Sequence, residues 1–456
     1  MTYSAYGTGP KPVVSCALDV RDYDNVGDWK KTEYKNIWVL DKIDELEGWS
    51  GDKSRIANIF INDGQYNGVA IQSTLGDTAR ETEPNFGVGI KTKDKGYQYT
   101  GMGYVYAGGN EVLTIADAID ENLEFYHDEH EGKLYLYWDG NNPREDFDKF
   151  LISRVGYTVM AGVNTTIDNI AIFGSSTWLV TADICGSQIT NCELAYCGAD
   201  YSSIASGVET SCKEEKMYAS QTRNHLIYNC YLHDIEDGPM SAQNGGSNDG
   251  EPGDIMNGIE YSNNVVVCCG NGAELFQGNP GHIDEDGRMY DRMRNLWVHD
   301  NIMAYAGYGI TRQQESGTTG ESTGDVLCGS IYGELEPGTC IFENNTIYHC
   351  HGQIVSQYVA LDDQPRGWIM RDNTYIMNAD TGKIKNAYET LNKIDHRISK
   401  RLRSMIPYNY RYLAFYTGLG FDPTGTFRYY THTTESEERN VYYMTGYRVE
   451  HKMPIA

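Results

Sequence analysis

The sequence predicts an all-β chain wound as a parallel β-helix, with long loops on one face and an amphipathic helix near the C-terminus. Three observations carry this. Four segments place a glutamine five residues after a glycine: Gly238–Gln243, Gly272–Gln277, Gly309–Gln314 and Gly352–Gln357. Each begins seven to nine residues after an asparagine. Those asparagines belong to a longer series, Asn169, Asn191, Asn229, Asn264, Asn301, Asn345 and Asn373, with a first interval of 22 residues and later ones of 28 to 44. A unit that returns with constant internal offsets marks a stacked repeat.

Around each asparagine lies a short run rich in apolar and β-branched residues, as in Leu226-Ile-Tyr-Asn-Cys-Tyr-Leu232 and Ile341-Phe-Glu-Asn-Asn-Thr-Ile347. These read as two strands hinged at the asparagine, which tolerates the left-handed backbone a sharp bend needs. A third strand starts near the repeated glycine. Three strands make one coil, stacked on the last at about 4.8 Å. A bare coil needs about 22 residues, so the surplus sits in loops at 198–206, 244–256, 278–293 and 315–338. These flank one strand row and wall a groove along it. Cys192 and Cys230 directly follow a hinge asparagine, while Cys269 and Cys350 lie five beyond one. That reads as small apolar residues stacked in a core.

The β-helix domain is expected over 1–380, with irregular coils at 1–160 and regular coils at 161–380. Tyr3–Ser15 reads as strand, turn, strand. Lys133–Trp138 is a strand leaving into the turn Asp139-Gly-Asn-Asn-Pro143. Beyond 380 the apolar period changes. Ile384, Ala387, Leu391, Ile394, Ile398, Leu402 and Met405 follow helical spacing, predicting a helix over 383–405 with a basic outer face. Residues 406–456 are tyrosine-rich and read as further strands. Together 381–456 form an extension packed on the solenoid. The chain carries no signal peptide and opens directly on a strand where a solenoid usually has a cap. The expectation is a trimmed N-terminus or a start within a longer protein.

Composition bounds the function. Of 456 residues 40% are hydrophobic, and no apolar run reaches membrane-span length, so no membrane insertion is expected. The net charge of −27 argues against nucleic acid, whose binding depends on neutralising phosphates. It also disfavours a bare polyanion unless a basic patch or Ca²⁺ compensates. Eleven cysteines show no zinc-module spacing. Thirty-six tyrosines and seven tryptophans suit sugar faces, although tyrosine also packs well in strands.

The opening Tyr3–Ser15, the segment Gly132-Lys-Leu-Tyr-Leu-Tyr137 and the asparagine-hinged coils resemble the right-handed parallel β-helix proteins of the pectin-lyase-like superfamily, and more closely its secreted bacterial members. The resemblance covers about residues 1–380. It implies a carbohydrate-active protein, located outside the cell, whose site lies in the groove along one strand row. The superfamily hosts several reactions, so the chemistry must come from side chains.

Aligning the coils on their glycines places Glu209, Met240, Glu274 and Thr311 in one register. Glu209 and Glu274 are then two rises, or roughly 9–10 Å, apart. That is near the upper end of the carboxyl separation in inverting glycosidases. Asp237 lies on the intervening coil and offers a closer pair with either. One carboxyl would act as acid and the other as base. Arg312 and Gln313 sit one coil further on. Arg312 would clamp a uronate or serve a lyase, or else pair with a nearby carboxylate. His233 is a candidate substrate ligand, or a satisfied histidine at a coil corner. Gln243 and Gln277 either touch substrate or stack coil on coil as a ladder. Residues 248–254 and 284–286 supply the oxygen ligands Ca²⁺ prefers, without EF-hand spacing, and equally read as solvated loops. Two reactions on a polysaccharide or oligosaccharide remain open, hydrolysis by paired carboxylates and β-elimination on a uronate. A non-catalytic glycan-binding fibre is the third reading.

Overall fold

The computed structural model describes residues 1–7, 10–22, 28–43, 46, 56, 58–62, 66–70, 97–100, 103–106, 119, 122–128, 131–153, 156–183, 186–198, 206–212, 225–244, 257–277, 294–304, 306, 326–329, 339–348, 355–357, 368–376, 427–436 and 441–449. Three long sheets run through them, each built of one strand per coil. The entry sheet orders Thr2–Ser4, Thr166–Asp168, Gln188–Thr190, His225–Tyr228, Asn257–Ser262, Arg294–His299, Cys340–Glu343 and Trp368–Arg371. The middle sheet collects the strands just beyond each hinge, from Val13–Ser15 through Tyr231–Ile235 to Thr374–Ile376. The groove sheet runs Tyr157–Ala161, Trp178–Asp183, Ser206–Cys212, Met240–Asn244, Ala273–Gln277, Leu327–Gly329 and Val355–Gln357. Pairing from coil to coil is parallel throughout. This is the parallel β-helix the repeat predicts.

The interior is a set of columns. Ile167, Ile189, Ile227, Tyr261, Val298 and Phe342 stack from the entry sheet, and Ile172, Leu194, Leu232, Val266, Met303 and Ile347 from the middle sheet. All are buried in one continuous core. Cys192, Cys230, Cys197 and Cys269 belong to it, and burial pushes the Cys197 and Cys269 thiols up, away from the reactive thiolate. The cysteines are small core residues, as their spacing indicates. Cys350 lies outside the described residues.

The asparagine series proves to be two columns rather than one. The left-handed position is held by Asn169, Asn191, Asn229, Asn263, Asp300, Asn344 and Asp372, all with φ between 53° and 56°. The next residue along points inward, and in successive coils is Ile170, Cys192, Cys230, Asn264, Asn301, Asn345 and Asn373. The later four form a hydrogen-bonded ladder. Asn301 Nδ2 donates to Tyr261 O and to Asn345 Oδ1 (both 2.9 Å), and Asn301 Oδ1 accepts from Asn264 N and Nδ2 (2.9 and 3.1 Å). Asn345 repeats the pattern with Val298 O and Asn373. An amide here satisfies backbone groups that the bend takes out of the sheet ladder.

Residues 1–15 already supply two strands of the first coil, Thr2–Ser4 on Thr166–Asp168 and Val13–Ser15 on Ala171–Phe173. The described strands between Leu18 and Ser153 do not continue as the irregular coils expected over 1–160. They pair mostly antiparallel, in a five-stranded, a four-stranded and a two-stranded sheet, the first two with a core of their own around Trp29, Trp38, Leu40, Ile59, Phe125, Leu136 and Phe150. The strand at Lys133–Tyr137 forms as expected, and the turn after it ends in a short helix, Pro143–Asp146, capped by Asn142. This module rests on the outer face of the middle sheet, where Phe60 stacks on Tyr196 with ring centroids 4.7 Å apart. The helix expected over 383–405 lies outside the described residues. Further on, Phe427–Ser436 and Val441–Val449 pair as an antiparallel hairpin, and Tyr442 of the hairpin pairs with Val355 of the groove sheet. No helix among the described residues is long and apolar enough to cross a membrane.

Candidate active site

The groove sheet alternates faces. Val180, Val208, Met240, Ala273 and Leu327 point to the core. The alternate column is Met160, Thr181, Glu209, Ser241, Glu274, Cys328 and Ser356. Glu209 and Glu274 therefore do share a register two coils apart. The residue between them is Ser241, not Met240, which is fully buried in the core. The cause is a one-residue offset. Pro239, rather than Gly238, occupies the place of Gly207 and Gly272, because Val208 pairs with Met240 and Ser241 pairs with Glu274. Proline is accepted there because it stands just before the first residue of the strand. A slip of one residue exchanges the two faces of a strand.

Exposure along the outward column changes abruptly. Met160 is 70% exposed, whereas Ser241 is 0% and Glu274 5% exposed. In the middle of the row Ser241 and Glu274 are buried. Ser241 Oγ donates to Glu274 Oε2 at 3.1 Å.

Asp237 stands at the corner between middle and groove sheets, in Glu236-Asp237-Gly238-Pro239, and is buried. The next coil turns the same corner with Gly270-Asn271-Gly272. Its Asn271 Nδ2 donates to Asp237 Oδ1 at 3.0 Å, and Asn271 N donates to Asp237 O at 3.2 Å. Two glycines make the approach feasible. A Cβ on Gly270 would stand 2.6 Å from the Asp237 Cα, and one on Gly238 would stand 2.6 Å from Glu274 Oε2. Glu274 thus packs against Gly238, the residue that follows Asp237.

His233 sits behind this corner, on the outer face of the middle sheet. Its Nδ1 is 2.8 Å from Asp234 Oδ2 and its Nε2 3.3 Å from Glu193 Oε1. Tyr231 stacks on its ring at 4.3 Å and Tyr196 meets it edge-on. Asp234 holds a left-handed φ of 51°, so the bend that aims the chain toward Asp237 is fastened by this histidine. Both ring nitrogens face carboxylates, and the imidazole is buried beside the aromatic contact with the N-terminal module.

The remaining candidates divide. The Glu209 backbone is in register as described. The backbone of Gln243 pairs with Phe276 and that of Gln277 with Asn244, so these two glutamines do not share a register. The offset at Gly238 explains this, since counting from the glycines puts the two glutamines one residue out of step. Arg312 and Gln313 lie outside the described residues, as do the acidic stretches 248–254 and 284–286. Among the described residues no group of three or more His, Cys, Asp or Glu side chains is disposed to hold a metal ion. Sequence reasoning missed Ser241 and Asn271. The Asn271-Gly272 pair is a turn signature that could have marked the second.

Fold and corner together define a parallel β-helix protein with a covered carboxylate pair at one sheet junction. No family model matches the sequence, and no curated protein matches it. Two solved structures are similar to it. One is described as the complex structure of XylC with xylose. It aligns over 82% of this chain and 58% of its own length, with 11% identity and a TM-score of 0.39. The other is a glycoside hydrolase, covering 80% of this chain and 82% of its own, with 10% identity and a TM-score of 0.34. The chain thus spans little more than half the length of the xylose complex. At that distance neither assigns a residue or a reaction to this chain.

Proposed function

We propose that this chain is a carbohydrate-active enzyme that hydrolyses a glycosidic bond at the Asp237–Glu274 corner. The carrying observation is that Asp237 and Glu274, on successive coils, are both buried, that Glu274 packs against the Gly238 following Asp237, and that each carboxyl accepts from a donor, Asn271 or Ser241. In this reading the two buried carboxyl groups divide the acid and base roles between them. Asp237 gives its proton to the leaving glycosidic oxygen. Glu274, oriented by the Ser241 hydroxyl, takes a proton from the attacking water. The water oxygen bonds to the anomeric carbon as the bond to the leaving oxygen breaks. Glu209, whose backbone stands two rises or about 9–10 Å along the same register, is assigned to the neighbouring sugar in this reading. The burial of Asp237 and Glu274 suits such chemistry because it limits competing water. The net charge of −27 favours a neutral glycan over a polyuronate. A location outside the cell belongs to the same reading.

The test is turnover on a panel of polysaccharides, following new reducing ends and near-ultraviolet absorbance in parallel. Reducing ends without absorbance are expected; an absorbing, unsaturated product would replace hydrolysis by β-elimination. Glu274→Gln and Asp237→Asn should each lose at least about a hundredfold in turnover with the fold retained. Turnover unchanged in both variants would overturn the assignment.

A further inference from the structure

The outer face of the entry sheet carries a second arrangement that the corner does not use. Two neighbouring columns run there, Leu226, Glu260, Trp297, Ile341 and Ile369 beside Tyr228, Ser262, His299, Glu343 and Arg371. At their centre Trp297 is 41% exposed. Its ring stacks on His299 with centroids 3.7 Å apart and planes 23° from parallel. Its Nε1 donates to Glu343 Oε1 at 2.9 Å, and Arg371 Nε donates to the other oxygen of that carboxylate. His299 is pinned in turn, with Nδ1 2.7 Å from Asp300 Oδ2 and Nε2 3.3 Å from Glu260 Oε1. Ser262 Oγ donates to the same Glu260 oxygen at 2.9 Å.

We propose that this Trp297-centred face is a binding platform for a neutral polysaccharide chain, separate from the catalytic corner. An indole whose N–H is already satisfied, and which is held from one side by a stacked imidazole, presents only apolar surface to solvent. Such a surface suits the C–H face of a sugar ring, whose slightly positive hydrogens pack on the negative π cloud. The rim supplies what the hydroxyls need. Glu260 and Asp300 are acceptors with side chains 41% and 47% exposed, and Arg371 is a donor fork 54% exposed. Below Trp297 the column continues through Ile341 and Ile369, the latter also exposed. Coils repeat about every 4.8 Å, so a linear chain laid along the solenoid axis meets a regular series of apolar steps. The carboxylates outnumber Arg371, which disfavours an anionic chain. Trp297, His299, Glu260, Glu343 and Arg371 are mounted on strands, Asp300 on the bend after one, and the polar groups are cross-braced before any ligand arrives, so little ordering is left for binding to supply.

The experiment is affinity electrophoresis in gels containing a soluble xylan, a mixed-linkage β-glucan or a galactomannan, with pectate and chitosan as charged controls. At least one neutral glycan should retard the protein. Trp297→Ala should weaken that retardation at least tenfold, and Trp297→Phe should keep part of it. Circular dichroism and a thermal melt check that both variants fold. Glu274→Gln should be retarded like the parent, so failure of the proposed reaction and failure of the platform show separately. The platform is overturned if no neutral glycan retards the parent, if only pectate or chitosan does, or if a folded Trp297→Ala moves like the parent.

Discussion

The upper and lower coils solve the same corner differently. In the lower coils the residue after the left-handed bend is Asn264, Asn301, Asn345 or Asn373, and each amide bonds the backbone beside it and the amide of a neighbouring coil. In the upper coils it is Ile170, Cys192 or Cys230. There the counterpart is weaker, Cys192 N reaching Cys230 Sγ at 3.4 Å. The ladder hands over at one point, where Cys230 N donates to Asn264 Oδ1 at 2.9 Å. The candidate corner lies on those two coils, since Asp237 follows Cys230 and Glu274 follows Asn264. A buried amide column is directional and fixes register, whereas a column of thiols fills space and permits adjustment. The polar corner of the molecule sits where one regime meets the other.

Breaking the ladder should have the largest effect. Asn301→Leu keeps the volume but leaves Tyr261 O and Asn264 N without their partner, at roughly 1–3 kcal/mol for each buried group. A loss of about 4 kcal/mol is expected by denaturant titration. Cys230→Ala in the upper column should cost only about 1–2 kcal/mol. Equal losses would erase the distinction between the two columns.

The upper coils should also carry their own pH dependence. His225 is buried, and burial pushes it down to about 4. An unfolded histidine titrates near 6.5. The unfolded chain therefore takes up a proton first as pH falls, and stability present above pH 6.5 is lost progressively toward pH 4. The expected loss is on the order of 3 kcal/mol. Denaturation midpoints measured across that range should flatten in His225→Phe. An unchanged slope would remove His225 from the account.

At the boundary itself, Gly238→Ala would drive a methyl to 2.6 Å from Glu274 Oε2. The expectation is a loss of about 1–3 kcal/mol together with reduced turnover on whatever glycan the parent cleaves. A fully active, equally stable variant would show that the two coils do not meet there. The smallest effect belongs to the outer face of the lower coils. The hydrogen bond from Arg371 holds the Glu343 carboxyl below its ordinary range. That contribution is present above the unfolded carboxyl value and lost as pH falls through the lower folded one. Glu343→Gln should therefore blunt acid destabilisation below about pH 4.3, by a small amount because the Arg371 partner is half exposed and screened by solvent.

Much of this was legible in the sequence. Asparagine at the hinges, β-branched runs beside them and cysteines in core positions are local choices, each visible without knowing which strand pairs with which. The shared register of Glu209 and Glu274 was legible too, because both stand two residues beyond a glycine of the same column. Met240 was misplaced for the same kind of reason. Gly238 resembles Gly207 and Gly272 by spacing, yet Pro239 holds their position, and counting cannot see a one-residue offset. The two asparagine columns were merged likewise, since the left-handed residue and its inward neighbour are both asparagine at Asn263-Asn264 and Asn344-Asn345. The antiparallel module between Leu18 and Ser153 was hidden because its strands have the same period as those of a coil.

By itself, then, the sequence determined the stacked-coil architecture and the chemistry of each column, because periodicity and backbone preference are properties of neighbouring residues. Tertiary structure alone decided which residue faces outward between Glu209 and Glu274. It also decided that Glu274 packs against the Gly238 that follows Asp237, and that the row is exposed at Met160 but buried at Ser241. Register and burial depend on contacts between residues tens of positions apart, and a shift of one residue reverses a strand's faces without altering its composition.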